Sequence, residues 1–584
     1  MYINSRLRFD DRLDAYNDAL SMLCQMTAVT DMELKDRSSF VLDIFLQMVY
    51  FLCMSGNVDK AISRIYGILP TATPDCSGDK LLADVISCLT ISDRCIFWIS
   101  CIYVSIYRKL PEEIIDQLEF LKDLPNSLVW SPIELTVDNR SQILVLLNYA
   151  AGKIAVDINE TVKNGDPSYL RLSQFLAVNH INCLATLEGF QSCANLLVKY
   201  MEEYPMCPHI LVFSARLHRK YGSCPGLKGF DELLLGWPKE VQGIQYLWNQ
   251  CAEHALADNI ELAEKLLTRW FEEYGKDGDI QSGGATRPME ISNEESVRSS
   301  VSSIQEVGSG TSTSEDQIFW LLNLSLYRTI ENNLQEAKVA MDKALKLAHG
   351  ESYEHCIKEH AAIHTLEKTS SSTDVQTQAT FSLISGYLVD QRNLPVRDLL
   401  SRRFMKNVKK HRLKRLIDET IGPTSANPAL INSVLEVCYG PSLLPETIGE
   451  VKYLVDFVES VMEVLPANYR LALAVGKFMV KHCTGDDSIS MGTRFWASSI
   501  LINAIFRAVP VAPESVWLEG ASLLEKLQAA ETVKRFYQQA TSVYPFSFKL
   551  WHSYLNSCKA SGSSTESIAE AARQRGIELS VTPP

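Results

Sequence analysis

Near the C-terminal end of the chain, Trp517 and Trp551 stand 34 residues apart. Each follows an alanine and a proline: Ala508 and Pro513 before the first, Ala540 and Pro545 before the second. A recurring period of this size constrains the fold strongly. One such unit has room for two short helices but cannot bury its apolar face alone, so units must stack. The residue types suit that task. Alanine lets two helices approach closely. Proline opens the next helix, where its missing N–H costs nothing. Tryptophan fills the groove between hairpins.

The rest of the chain speaks the same language. Apolar residues recur at helical spacing almost throughout, and alternating strand patterns are scarce. The breaks SGN (Ser55 to Asn57), LADN (Leu256 to Asn259) and ENN (Glu331 to Asn333) each precede an amphipathic helix with an inner alanine: VDKAISRIYGIL, IELAEKLLTRWF and LQEAKVAMDKALKL. LVKYMEEYP, from Leu197, and LTRWFEEYG, from Leu267, are alike and lie 70 residues apart. That fits two units of about 35 residues, close to tetratricopeptide-like helix pairs. The expected fold is all-α, a right-handed superhelical stack of helical hairpins.

At 584 residues the chain exceeds one core, which rarely grows beyond about 250–300 residues. Lys276 to Asp316 is rich in Ser, Gly and Glu, and nearly without aromatics. It cannot bury enough surface to offset its ordering entropy, so a disordered loop is expected at 276–316. It would separate an N-terminal arm, 1–275, from a C-terminal arm, 317–584, with half-a-TPR-like units from about 457 to 560. A polar loop is expected at TSSSTDVQTQ, Thr369 to Gln378. At the end, Ser563 followed by Glu566 fits a capping box, and Gly576 a helix C-terminus.

A net charge of −14 makes the whole chain a poor non-specific binder of nucleic acid. The 15 cysteines form no C-x-x-C pair, as expected of reduced, buried thiols in a nuclear or cytosolic protein. The N-terminus lacks the apolar stretch of a signal peptide. The most apolar run, CIFWISCIYVSIY from Cys95 to Tyr107, is shorter than the roughly 20 residues that span a bilayer, so a buried helix is expected and no membrane partner.

Little in the sequence carries chemistry. Cys356, His360 and His364 share one helix face and are zinc-ligand types. No fourth ligand is evident, and HAAIH lacks the glutamate of H-E-x-x-H, so incidental histidines are expected and no metal or other cofactor. Gly476-Lys477 lacks the upstream glycine of a phosphate loop, and no G-x-S-x-G elbow occurs. No enzyme is expected. The serines at 276–316, such as Ser292 and Ser314 before acidic residues, are either phosphorylation sites or part of an inert linker.

The strongest local charge is RRFMKNVKKHRLKRL: Arg402, Arg403, Lys406, Lys409, Lys410, Arg412, Lys414 and Arg415, with no acid before Asp418. Three readings stand open: RNA phosphate contact, a nuclear-import signal, or a solvated or internally paired basic face.

The stretch KRFYQQATSVYPFSFKLWHSYLNSC resembles the half-a-TPR repeat of RNA-processing proteins, with Lys534, Tyr537, Ala540, Pro545, Trp551 and Tyr554 in the pattern's places. Ile505, Ala508, Pro513 and Trp517 repeat part of it, with isoleucine for the first aromatic. Pro238 and Trp248 give a further partial match. As a whole the chain resembles the C-terminal helical-repeat region of large CCCH zinc-finger proteins that link nuclear RNA to the exosome, in a plant-like version. RLDAYNDALSMLC, FWISCIYVSIY, LLLGWPKEVQGIQYLWNQCAEHAL and AARQRGIELS carry that likeness. The resemblance implies a nuclear scaffold, with an RNA helicase or exosome cofactors as partners. It leaves homodimerisation through the C-terminal repeats open. Alternatives are a scaffold of a splicing or 3′-end-processing complex, and an RNA-binding module using the 402–415 cluster. The cysteine–histidine set of a CCCH finger is absent, so such a finger would belong to an N-terminal part outside this chain, and its zinc and RNA chemistry do not carry over.

Overall fold

A computed structural model describes residues 3–26, 31–69, 80–120, 128–163, 169–221, 228–238, 241, 243–258, 260–276, 312–368, 466–482, 488–527 and 530–579, with single positions between 380 and 463. Among the described residues are 22 α-helices, a short 3-10 turn and no strand, so the all-α class holds. The helices run α1 (Phe9–Gln25), α2 (Asp31–Met54), α3 (Val58–Tyr66), α4 (Lys80–Cys88), α5 (Ile91–Tyr107), α6 (Glu112–Phe120), α7 (Val137–Lys163), α8 (Tyr169–Glu188) and α9 (Ala194–Glu203). There follow α10 (Pro208–Tyr221), α11 (Phe230–Gly236), α12 (Ile244–Asp258), α13 (Ile260–Lys276), α14 (Ser312–Ile330), α15 (Leu334–Leu347) and α16 (Glu351–Lys368). The last are α17 (Tyr469–His482), α18 (Ser488–Phe506), α19 (Glu514–Leu527), α20 (Ala530–Val543), α21 (Phe548–Ala560) and α22 (Glu566–Gln574).

The chain forms two compact units. The first comprises Met1–Pro205, Arg494–Ile505 and Val509–Pro584; the second, Met206–Thr493 and Phe506–Ala508. Of the expected loop at 276–316, residues 277–311 lie outside the described residues, whereas Ser312 already opens α14. The expected loop at 369–378 also lies outside them.

In the first unit, α5 is the hub. Thr90 caps it by accepting from the Asp93 N–H at 3.3 Å, and Arg108, in the left-handed region at φ 56°, closes it with an N–H to Val104 O at 2.9 Å. Cys95, Phe97, Trp98, Cys101, Ile102 and Val104 are all buried, so the apolar run is a core helix. In α2, the stretch Glu33–Met54 is long and apolar enough to cross a membrane by length and composition, and half of its most apolar window is buried here. Phe45 of α2 meets Phe97 of α5 with ring centroids 4.6 Å apart.

Both ends of the sequence build this unit. Phe51 of α2 stacks on Phe9 of α1 at 5.2 Å and meets Phe546 edge-on at 5.3 Å. The Arg12 guanidinium lies over Phe546, 4.6 Å from its centroid. Gly576, beyond α22, lies so close that a Cβ there would sit 2.9 Å from Phe9 Cβ.

Two of the expected breaks, SGN and ENN, share one mechanism, whereas Asn259 of the third lies outside the described residues. After α2, Gly56 turns at φ 78° and the Asn57 N–H returns to Leu52 O at 2.9 Å. After α14, Asn332 turns at φ 65° and the Asn333 N–H returns to Arg328 O at 2.8 Å. Each is a six-residue closure that satisfies an end carbonyl and releases the chain into the next helix. Asn333 then caps α15 through the Glu336 N–H. The inner alanines are where the spacing places them: Ala61 in α3, and Ala337, Ala340 and Ala344 in α15, all buried.

The expected capping box at Ser563 does not form. Ser563 is used to finish α21, its N–H bonding Cys558 O at 2.9 Å while Gly562 turns at φ 69°. Thr565 takes the N-cap place of α22 without a side-chain bond.

In the second unit, Trp248 of α12 lies tilted against Trp270 of α13 with centroids 4.1 Å apart, and Trp270 meets Trp320 of α14 edge-on at 6.2 Å. His209 lies against Tyr246 at 4.0 Å. Burial lowers the His209 imidazole from 6.5 to about 4, so folding holds it neutral. The folded state thus binds fewer protons than the unfolded chain between these values, and stability falls as pH drops from 6.5 to about 4. His209→Gln should flatten that decline, by up to about 1.4 kcal/mol per pH unit, in urea titrations of the two proteins between pH 7 and 4.

Candidate functional site

Trp517 stands in the first turn of α19, 2% exposed, and its indole N–H donates to Ala512 O at 3.1 Å. Trp551 stands in the first turn of α21 and donates to Pro545 O at 2.9 Å. The same joint is thus built twice: a tryptophan on an entering helix ties back to the loop that delivered it. Tyr544 OH donates to Ala512 O at 2.8 Å, linking the two loops. Ala540 is fully buried, and Tyr537 stacks on Tyr554 at 5.4 Å while donating to Glu525 at 2.9 Å. Burial first, then Glu525, holds the Tyr537 phenol well above its ordinary value.

The two joints are not identical. Pro513 immediately precedes α19, and its carbonyl accepts from Val516. Pro545 stands two residues ahead of the cap of α21, which is Ser547, accepting from the Leu550 N–H at 3.0 Å. The Ser547 hydroxyl also donates to Glu514. Ala508 lies beyond the end of α18, and the buried alanine of that helix is Ala504. Gly520 of α19 is the close-approach residue: a Cβ there would sit 2.8 Å from Ile505 Cδ1. Trp248, the more distant partial match, is buried against Trp270.

Of the basic run, Arg403 is described; Arg402, Lys406, Lys409, Lys410, Arg412, Lys414 and Arg415 lie outside the described residues. Arg403 is engaged within its own unit. It pairs with Glu331 at 3.4 Å, donates to Thr268 Oγ1 at 3.1 Å and lies 4.9 Å over the Tyr327 ring. Arg403→Ala should destabilise the second unit by about 1–3 kcal/mol. Arg403→Lys should recover only part of this, because it lacks the planar fork. Urea unfolding followed by circular dichroism reads both.

The three zinc-type residues of α16 are occupied separately. Cys356 is buried, and burial pushes its thiol up to about 11. His360 Nε2 is 3.0 Å from Asp342, and His364 Nδ1 is 3.3 Å from Glu367. Among the described residues, no group of three or more His, Cys, Asp or Glu is placed to hold a metal. Beside them Arg397, wholly buried, pairs with Glu359 at 3.2 Å.

Spacing alone did not reveal a cavity of about 380 Å³ between α5, α7, α8 and α9. Trp98 and Ile102 come from α5, Ala150 and Ala151 from α7, and Ala177 from α8. Short side chains at facing positions leave the space open. At one end His180 and Tyr200 meet, Nδ1 to OH, at 3.0 Å. Burial lowers the His180 imidazole below its ordinary value, and burial, then Glu203, raises the Tyr200 phenol to about 12, so the pair is neutral at pH 7. Asn179 pins the wall beside them. Its Oδ1 accepts from Leu128 N–H and Trp130 Nε1–H, both at 3.1 Å. The only sequence signal was the run NYAAGKIA, whose alanines read equally well as ordinary packing.

Cysteine spacing likewise concealed a pair. Cys24 of α1 and Cys88 of α4 are hydrogen-bonded, and burial, then Cys88, pushes the Cys24 thiol up to about 12. Cys88 also approaches Cys24 O at 3.8 Å.

No protein-family model matches the chain, and no curated protein matches it significantly.

Proposed function

We propose that the protein is a non-catalytic helical-repeat scaffold for protein–protein contacts in nuclear RNA processing or surveillance, of the kind that targets RNA to the exosome. One observation supports this reading above the others: the tryptophan joint made twice, at Trp517 and Trp551, which is how a repeat presents successive hairpins as one surface. The titratable groups fit a role in packing. Burial pushes the thiols of Cys53, Cys95 and Cys251 each up to about 12, so they are protonated and poor nucleophiles at pH 7. The link to RNA surveillance rests on the resemblance of the repeat and of the order of segments.

Affinity purification of the tagged chain from nuclei tests it. Recovery of an RNA helicase or exosome cofactors is expected. Spliceosomal or 3′-end-processing subunits would move the reading to that assembly, and cytosolic chaperones alone would overturn it. A salt-dependent RNA shift, lost on reversing Lys409, Lys410, Arg412 and Lys414 to glutamate, would replace it with direct RNA binding.

A further inference from the structure

Cys24 stands in the last turn of α1 and Cys88 is the last residue of α4, and these two helices pack together in the first unit. Their thiols are hydrogen-bonded to each other, and Cys88 Sγ lies 3.8 Å from Cys24 O. Among the eleven described cysteines eight are buried, and Cys24, Cys53 and Cys88 are partly exposed. Cys53 is set deep enough that burial pushes its thiol up to about 12. Cys24 and Cys88 combine what disulfide formation needs: two neighbouring sulfurs and access from solvent. Their place in the fold adds a third condition. A disulfide draws its sulfurs to about 2.05 Å, and frayed helix ends can supply the movement with little loss of backbone hydrogen bonding.

We infer that Cys24 and Cys88 form a reversible oxidation site, at which hydrogen peroxide converts the two thiols to a disulfide that staples the end of α1 to the end of α4. Burial, then Cys88, pushes the Cys24 thiol up to about 12, with Arg37 opposing, so Cys24 stays protonated and Cys88 attacks first. The Cys88 sulfur, as its thiolate, bonds to one peroxide oxygen. The O–O bond breaks, and the other oxygen takes up a proton and leaves as water. The Cys24 sulfur then displaces the hydroxyl of the Cys88 sulfenic acid, and its proton departs with that hydroxyl as a second water. The two thiols lose two electrons and two protons, which the peroxide gains. The Cys88 charge that opposes ionisation of Cys24 is absent from the sulfenic acid, which eases the second step. A small thiol reductant restores the pair by exchange, as suits cysteines that are reduced at rest. The bond closes a segment that holds α2, α3 and α4. The site does not depend on a scaffold role; it stands or falls on the geometry of the first unit.

The test uses the full chain, reduced with dithiothreitol and then freed of it, and hydrogen peroxide at neutral pH. Trypsin places Cys24 as the one cysteine of peptide 13–35 and Cys88 as the one cysteine of peptide 81–94. After free thiols are blocked with N-ethylmaleimide, mass spectrometry should find these two peptides joined at their summed mass less two hydrogens. Dithiothreitol should part them again. They should join at least about ten-fold faster than in the urea-unfolded chain, where no helix contact holds the sulfurs together. Cys24→Ser should abolish the link and leave Cys88 as a sulfenic acid that dimedone traps. Cys88→Ser should abolish it and leave the Cys24 thiol free for N-ethylmaleimide. No joined pair in the folded chain, or one that forms no faster than in the unfolded chain, would overturn the assignment. So would a faster link from either residue to Cys53, or a link between two chains, seen as a dimer on a non-reducing gel.

Discussion

Trp517→Ala should cost about 3–5 kcal/mol, the range for removing a large aromatic from a closed core. The side chain is 2% exposed, packs on Phe536 with centroids 5.3 Å apart, and ties α19 to its own entry loop. Truncation leaves a cavity at a point where Gly520 already brings α18, α19 and α20 together, so the neighbours have little freedom to collapse into it. Trp517→Phe separates the two contributions. It keeps most of the apolar body and loses the N–H bond, while Ala512 O retains Tyr544 OH, so a loss of about 1–2 kcal/mol is expected. Native-state hydrogen exchange of amides in α19 to α21 would read both, because it reports local opening even when two units do not unfold as one. Equal effects of the two variants would mean that the ring body matters little.

Gly56→Ala should cost about 2–5 kcal/mol, from two sources that a companion variant pulls apart. The left-handed backbone at φ 78° charges about 1–2 kcal/mol for a Cβ. That Cβ would also lie 2.8 Å from Phe548 Cγ, within a packed aromatic contact, and overpacking of this kind adds about 1–3 kcal/mol. Gly562 has a similar φ of 69° but nothing within 4 Å of the added atom. Gly562→Ala should therefore show the backbone cost alone, about 1–2 kcal/mol. Thermal unfolding of the two variants beside the parent gives the comparison. If both shift the midpoint equally, Phe548 yields readily and the contact with α21 is loose.

The sequence was most legible where the signal is local. Helical spacing, the breaks at SGN and ENN, the inner alanines of α3 and α15, and a buried helix over Cys95 to Tyr107 all follow from residues within one or two turns of each other. Where two local signals competed for the same residue, the reading failed: Ser563 suits an N-cap, but the closure of α21 claims it first. Ala508 misled for a related reason, since the echo of Ala540 was counted along the chain and α18 ends before that count does. The cavity and the Cys24–Cys88 contact were not legible because both are made by side chains far apart in sequence. An alanine that packs and an alanine that leaves space look alike until the facing helix is known. The basic run was legible as a charge, yet the role of Arg403 depends on Tyr327 and Glu331, which nothing in the run announces.

The joining of α1 and α2 to Phe546 and α21 has a consequence for synthesis. The aromatic faces of Phe9 and Phe51 are completed by residues that leave the ribosome about 500 residues later. At elongation rates of roughly 5–20 residues per second, those faces wait on the order of 25–100 s for their cover. During that interval they are exposed to any protein that recognises unfinished apolar surface. A nascent chain halted before residue 546 should accordingly remain bound to such a factor, whereas one released after residue 579 should not.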